Sequence, residues 1–248
     1  GQFGALTIRL PNFVTYISFE GTDSNVVGWK EDFQMLYLFP IPSQKLAQEY
    51  FDKTIRFFDR EIYIGGHSKG GNLAMYAYMY GKDSWKKKVK QVYNFDGPGF
   101  DNKILTSDRF TNLQKKLTVV VPEESVIGMI LGCDTFKTVV SSARAVLQHD
   151  GYTWQCFGGF LEQTELSKKS KKLKSNLKEY IDDMSDHERK NFVETFFAIF
   201  ERTHITNIMQ LKELKMSTLL GLMKEIKNIP SSTKRNLIAM LRLLITGM

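Results

Sequence analysis

Residues Glu61 to Tyr78 read E-I-Y-I-G-G-H-S-K-G-G-N-L-A-M-Y-A-Y, an apolar run that turns through glycines into a helical pattern. Ile62, Tyr63 and Ile64 fit a short buried strand, and Leu73, Ala74, Ala77 and Tyr78 recur at helical spacing after it. Between them stands G-x-S-x-G, with Ser68 at the turn. The spacing by itself is weak, but strand, turn and helix together form the setting a nucleophile elbow requires. A serine held in so tight a turn needs neighbours almost without side chains. Gly66 and Gly70 supply those gaps, and Gly65 and Gly71 widen them. Because the helix starts directly after Ser68, its N–H groups and positive dipole end point to where an oxyanion would form, the Lys69 N–H first. The plainer reading is a glycine-rich turn with a helix-capping serine.

Working outward from this stretch, two strand-like segments open the chain, Ala5 to Leu10 and Val14 to Phe19, joined through Pro11 and Asn12 as a hairpin would be. After E-G-T-D, Trp29 to Phe33 and a Pro40/Pro42 break, Ser43 can cap a helix with apolar positions at Leu46, Tyr50, Ile55 and Phe58. Beyond the elbow, Lys86 to Lys90 is a basic turn, and the strand beginning at Val92 ends at Asp96-Gly97-Pro98-Gly99. A short helix follows near Asp108 to Lys115. Leu117 to Val121 is β-prone and stopped by Pro122, which places Glu123 and Glu124 at the rim of a sheet. Phe136 to Val140 and Trp154 to Phe157 are the expected last strands, with His149 in a loop between them. Strands alternating with helices imply an α/β fold with a largely parallel, doubly covered sheet of the α/β-hydrolase kind.

From about residue 162 the character changes to charged helices. The expected organisation is an α/β core over 1–161, truncated or processed at Gly1, and a helical C-terminal subdomain over 162–248. Ser185 to Glu188, S-D-H-E, is a capping box heading a segment with Phe192, Phe196, Ile199 and Phe200 on one side. A further helix is expected near Ser217 to Lys227, with Pro230 breaking it and Ser231 or Ser232 starting the last one.

The net charge of +7 is unevenly placed, with +2 in residues 1–161 and +5 in 162–248. The densest run, K-K-S-K-K-L-K from Lys168 to Lys174, can attract anionic lipid, giving peripheral membrane contact, or nucleic acid. A solvated helix face is the favoured reading, and no nucleic-acid partner is expected. No run approaches the length of a membrane-spanning helix and no leader pattern opens the chain, so a cytoplasmic location is expected. Cys133 and Cys156 lack disulfide-framework or metal-ligand spacing and read as buried thiols. No metal or organic cofactor is expected.

A serine hydroxyl needs a base to take its proton, and imidazole has the suitable pKa. His67 lies inside the elbow and His187 and His204 lie in the helical tail. His149 follows the hydrolase chain order of serine, acid, histidine and is the expected base. Of the carboxylates that could orient it, Glu124 is the first choice and Glu123 the next. Asp150 adjoins the histidine, and Asp96, which also ends a strand, is a further alternative acid, although a turn-stabilising side chain in D-G-P-G is its favoured reading.

I-S-F-E-G-T-D with downstream W-K-E-D-F, then G-H-S-K-G-G, P-E-E-S-V and H-D-G-Y-T-W, resembles the class 3 lipase pattern over residues 5–157. Within it, G-G-H-S-K-G-G-N and N-F-D-G-P-G-F are most similar to a bacterial lipase-like family of undefined function. By that resemblance Ser68 and His149 fall on the nucleophile and base positions. Thr22 would supply the second oxyanion donor, and Asp23 to Phe33 would occupy the place of a lid. Glu124 falls where those lipases carry aspartate, and Glu20 where they commonly carry arginine. The function expected is serine hydrolysis of carboxylic esters, with lipid esters among the candidate substrates. The alternative is a non-catalytic hydrolase-like scaffold that binds a partner through its helical tail.

Overall fold

The computed structural model describes residues 3–207 apart from Ser24, Cys133, Asp134 and Thr203. The helices expected near Ser217 to Lys227 and after Pro230 lie outside the described residues, as does Cys133. Two compact units are present, one made of residues 3–21 and 40–178, the other of 22–39 with 179–207.

The first unit is an α/β sheet of seven strands. β1 (Ala5–Leu10) and β2 (Val14–Phe19) form the expected hairpin, antiparallel, with Asn12 and Phe13 at positive φ in the turn. β3 (Glu61–His67), β4 (Val89–Phe95), β5 (Leu117–Pro122) and β6 (Lys137–Val139) follow β2 in spatial order, each parallel to its neighbour. This order lines up the C-terminal ends of five strands on one edge, where loops of an open α/β sheet can meet. Two expectations for the far edge are corrected. Trp154 to Phe157 is not a strand of this sheet: β7 (Cys156–Phe157) pairs only with β8 (Phe160–Leu161) in a small hairpin, because Gly158 and Gly159 turn the chain back at positive φ. The last strand is β9 (Gln163–Thr164), antiparallel to β6. Cys156 is exposed, not buried.

Among the helices, α1 (Val26–Gln34) belongs to the second unit. α2 (Pro42–Thr54) starts one residue before Ser43, since proline suits the first helical turn and the Ile41 N–H is taken by the Gln44 side chain at 2.9 Å. The helix buries Ala47 and Phe51 and leaves Leu46 exposed, and it ends at Thr54, so that Ile55, which is buried, and Phe58, which is exposed, lie beyond it. α3 (Lys69–Tyr80) is buried from Lys69 to Met79, so a helix apolar all round is what its position demands. α4 (Asp83–Lys86), α5 (Asn102–Leu105) and α6 (Asp108–Gln114) are short surface pieces. α7 (Lys168–Asp182) follows β9 and leads into α8 (Asp186–Arg202).

α8 begins at the expected capping box: the Ser185 N–H donates to Glu188 Oε2 at 2.8 Å and the Glu188 N–H to Ser185 Oγ at 3.3 Å. Its apolar face, Phe192, Phe196, Phe197 and Phe200, meets α1 inside the second unit. Phe33 stacks on Phe196 at 5.5 Å and meets Phe197 edge-on at 5.4 Å. Lys30 lies 3.0 Å from Glu194 and 3.5 Å from Glu201. α1 is thus bound to α8, although the two are far apart in the chain. No helix among the described residues is long and apolar enough to cross a membrane.

The elbow helix approaches β2 so closely that a methyl group on Gly70 would strike the Phe19 carbonyl and the Glu20 backbone. Gly70→Ala is therefore expected to cost about 1–3 kcal/mol or more in urea denaturation, since backbone cannot yield as a flexible side chain can. Gly151→Ala, with nothing within 4 Å of the added carbon, should stay within about 0.5 kcal/mol.

Candidate active site

Ser68 follows β3 directly, with φ 57° and ψ −133°, a left-handed conformation that a non-glycine residue holds only under constraint. Its N–H donates to Phe95 O at 2.9 Å and its carbonyl accepts from Gly71 N at 3.0 Å, so the strained residue is tied to both β4 and α3. Lys69 is the first residue of α3, which puts its N–H at the helix N-terminus.

The two glycine-rich motifs are one interlocked structure. A side chain on Gly97 would strike the Ser68 carbonyl, and one on Gly71 would strike Asn94 Oδ1. Asn94 is the turn-former of N-F-D-G: its Oδ1 accepts from Gly97 N at 2.8 Å and its Nδ2 donates to Gly97 O at 3.2 Å. Asn72, fully buried, donates to the carbonyls of Pro98 and Gly99 at 3.2 and 2.7 Å and accepts from Gln44 Nε2 at 2.8 Å. Buried amides with every polar atom engaged fix the loop after β4 against the elbow helix.

With Asn94 holding the turn, Asp96 is released for another task. It sits at φ 50° with its side chain 1% exposed. Its Oδ1 accepts from Ser125 Oγ at 2.5 Å and Gly128 N at 3.2 Å, and its Oδ2 lies 2.7 Å from His149 Nδ1. The reading of Asp96 as a turn-stabilising side chain is corrected, and so is the expectation that Glu124 lies against His149. Glu124 instead accepts from Ala145 N at 2.6 Å, while its own N–H donates to Gln148 Oε1 at 2.8 Å. It braces the loop that carries His149, where Ala145 stands at positive φ. Gln148 completes the brace through Ala143 O at 3.1 Å, and the Trp154 indole donates to Gln148 O at 2.8 Å. Glu123 closes the sheet edge through its main chain, donating to Val139 O and accepting from Ser167 N. Asp150 turns its carboxylate to its own loop, accepting from Tyr152 N at 3.0 Å.

His67 joins the site through His149. Its Nε2 donates to the His149 carbonyl at 2.6 Å, and the two rings lie 4.4 Å apart. A carbonyl partner requires the proton on Nε2 of His67. His149, donating from Nδ1 to Asp96, keeps its Nε2 as an acceptor. Ser68 and His149 are both half-buried at the C-terminal edge of the sheet, and no hydrogen bond joins the Ser68 hydroxyl to the imidazole among the described residues. Gly21 passes behind the elbow, where an added Cβ would lie 2.8 Å from His67 O and 3.1 Å from Ser68 Cβ. Thr22, the next residue, belongs to the second unit and donates from its hydroxyl to Asp32. Glu20 is exposed and pairs through its N–H with Gly4 O. His187 and His204 are exposed in the second unit. No group of three or more metal-ligating side chains occurs among the described residues.

The model of the Mbeg1-like family matches residues 1–198. The chain belongs to the Mbeg1-like family, which is lipase-like. The match takes in the whole sheet, the elbow, the Asp96–His149 pair and most of α8. Neither the curated proteins nor the solved structures hold a match to the chain.

Sequence reasoning ranks Asp96 behind Glu124 and Glu123 because D-G-P-G is an ordinary turn sequence, and only the fold shows that Asn94 performs the turn's work. The signal available was positional: Asp96 ends the strand that neighbours the elbow strand. Burial first, and then the adjacent His149, hold His67 below the ordinary imidazole pKa. The unfolded chain therefore binds that proton before the native one does, and stability rises with pH. Native stability should be intact above about pH 6.5 and fall below it. In urea denaturation between about pH 5.5 and 7.5, His67→Gln, which keeps a donor for the His149 carbonyl, should flatten that slope.

Proposed function

We propose that this chain is a serine hydrolase that cleaves carboxylic esters, with Ser68 as nucleophile, His149 as base and Asp96 as the carboxylate that orients the imidazole. The observation that carries the reading is the 2.7 Å contact between His149 Nδ1 and the buried Asp96. It favours the tautomer with a free Nε2 lone pair and stabilises the imidazolium that forms when that nitrogen takes a proton. The chain order serine, acid, histidine and the strained elbow at Ser68 support the same reading.

In the reaction, Ser68 Oγ attacks the ester carbonyl as His149 Nε2 accepts its proton. The tetrahedral oxyanion is held by the Lys69 N–H at the start of α3. Collapse of that intermediate breaks the C–O bond, and the imidazolium returns its proton to the departing alcohol. Water then repeats the sequence on the acyl-serine. Glu124 touches no reacting atom and acts by holding the 143–149 loop. Lipid esters are the substrate class that the family membership favours.

A fluorophosphonate probe is expected to form an adduct on Ser68 that Ser68→Ala abolishes together with turnover of short-chain nitrophenyl esters. Asp96→Asn should lower kcat/KM by about 10³- to 10⁴-fold, as loss of the orienting carboxylate does in such triads. Glu124→Gln should cost far less. Full activity in Asp96→Asn would remove Asp96 from the mechanism, and an unlabelled Ser68 in folded protein would leave the non-catalytic scaffold as the better reading.

A further inference from the structure

The hairpin that follows His149 buries almost nothing at its tip. Phe157 and Phe160 are directly opposed cross-strand partners, so their side chains share one face, and they are 85% and 80% exposed. Gly158 and Gly159 turn the chain between them at φ 57° and 91°. Tyr152, on the loop between His149 and this hairpin, is 100% exposed. Three large aromatic side chains left in water so close together in the chain stand against the burial tendency of these residue types. The base of the hairpin is rigid by contrast: Gln155 N donates to Val140 O, and both Glu162 N to Gln155 O and Val140 N to Glu162 O are 2.9 Å. Trp154 packs beneath it against Val120 and Val139.

The start of α7 is rooted on the same edge of the sheet. Ser167 N donates to Glu123 O at 2.8 Å, and Glu123 N to Val139 O at 3.1 Å. This places Lys168 beside the C-terminal ends of β5 and β6, the edge that also carries Ser68, Asp96 and His149. Lys168, Lys169, Lys171 and Lys172 are all exposed. The exposed acidic side chains in this region are Asp150, Glu162 and Glu165, Glu123 and Glu124 being half-buried, and Glu165 is taken up by Lys171 at 3.4 Å.

We propose that this edge docks on an anionic lipid bilayer, with the Phe157–Phe160 tip inserted at the headgroup level and the lysines of the first two turns of α7 facing the lipid phosphates. The aromatic pair stands on a convex two-glycine turn, a shape that enters a fluid interface, while the flanking cations attract negative surface charge. Tyr152, with an apolar ring and a polar tip, suits the same depth. The proposal goes beyond the hydrolase reading and does not depend on it: Ser68→Ala should bind vesicles as the unaltered chain does.

The test is co-sedimentation of the full chain with phosphatidylcholine vesicles, with and without about a third phosphatidylglycerol. Binding is expected to the anionic vesicles and to weaken as salt rises. Phe157→Ser with Phe160→Ser should weaken it about tenfold or more, and so should Lys168→Glu with Lys169→Glu, with thermal unfolding unchanged because these side chains are exposed. In Phe157→Trp, anionic vesicles should shift the emission of the introduced indole to shorter wavelength as the tip leaves water. No binding of the unaltered chain, binding undiminished by the tip substitutions, or an unshifted emission from vesicle-bound Phe157→Trp protein would each overturn the proposal. So would a tip-dependent dimer that sediments without lipid.

Discussion

Burying the Asp96 carboxylate is the constraint around which the C-terminal edge of the sheet is built. A charge withdrawn from water must be met by donors in place, or it costs several kcal/mol. Ser125, Gly128 and His149 supply them from two separate segments. Each is brought by a different device: Ser125 and Gly128 by the turn that ends β5, and His149 by a loop cross-braced through Glu124 and Gln148. The carboxylate is free for this role because Asn94, two residues earlier, has taken over the local turn. Removing any donor leaves a charge short of partners, so these loops hold one another in register.

The elbow is legible in the sequence, since Gly66, Ser68 and Gly70 can be read as steric requirements on a tight turn. The hairpin of β1 and β2 and the α8 capping box are legible for similar reasons, being local patterns closed by contacts a few residues apart. The acid is not. Glu124 stands at a strand end in the expected chain order, and nothing in its own neighbourhood reveals that its carboxylate is spent on the Ala145 N–H. Choosing between Glu124 and Asp96 depends on contacts 21 and 53 residues distant. The far edge failed differently: Trp154 to Phe157 has strand composition, but Trp154 is buried under the edge while the next residues turn outward.

The boundary read from composition near residue 162 falls just before β9, and the charged helices begin at Lys168. The compact units divide otherwise, because 22–39 leaves the sheet's sequence to join α8. Phe33 between Phe196 and Phe197 is the reason: an aromatic cluster of this size binds a short helix more strongly than local propensity can. That the Mbeg1-like match extends to residue 198 fits this arrangement, since α1 without α8 would expose Phe33.

The relay from Ile41 through Gln44 to Asn72 and on to Pro98 and Gly99 runs in one direction. Each amide receives at its oxygen and gives from its nitrogen, so rotating either by half a turn would set oxygen against oxygen or nitrogen against nitrogen. The contact between α2 and the loop after β4 therefore has polarity as well as shape. An aspartate at position 72, nearly identical in outline, would meet the two carbonyls with no proton to offer and push the loop away.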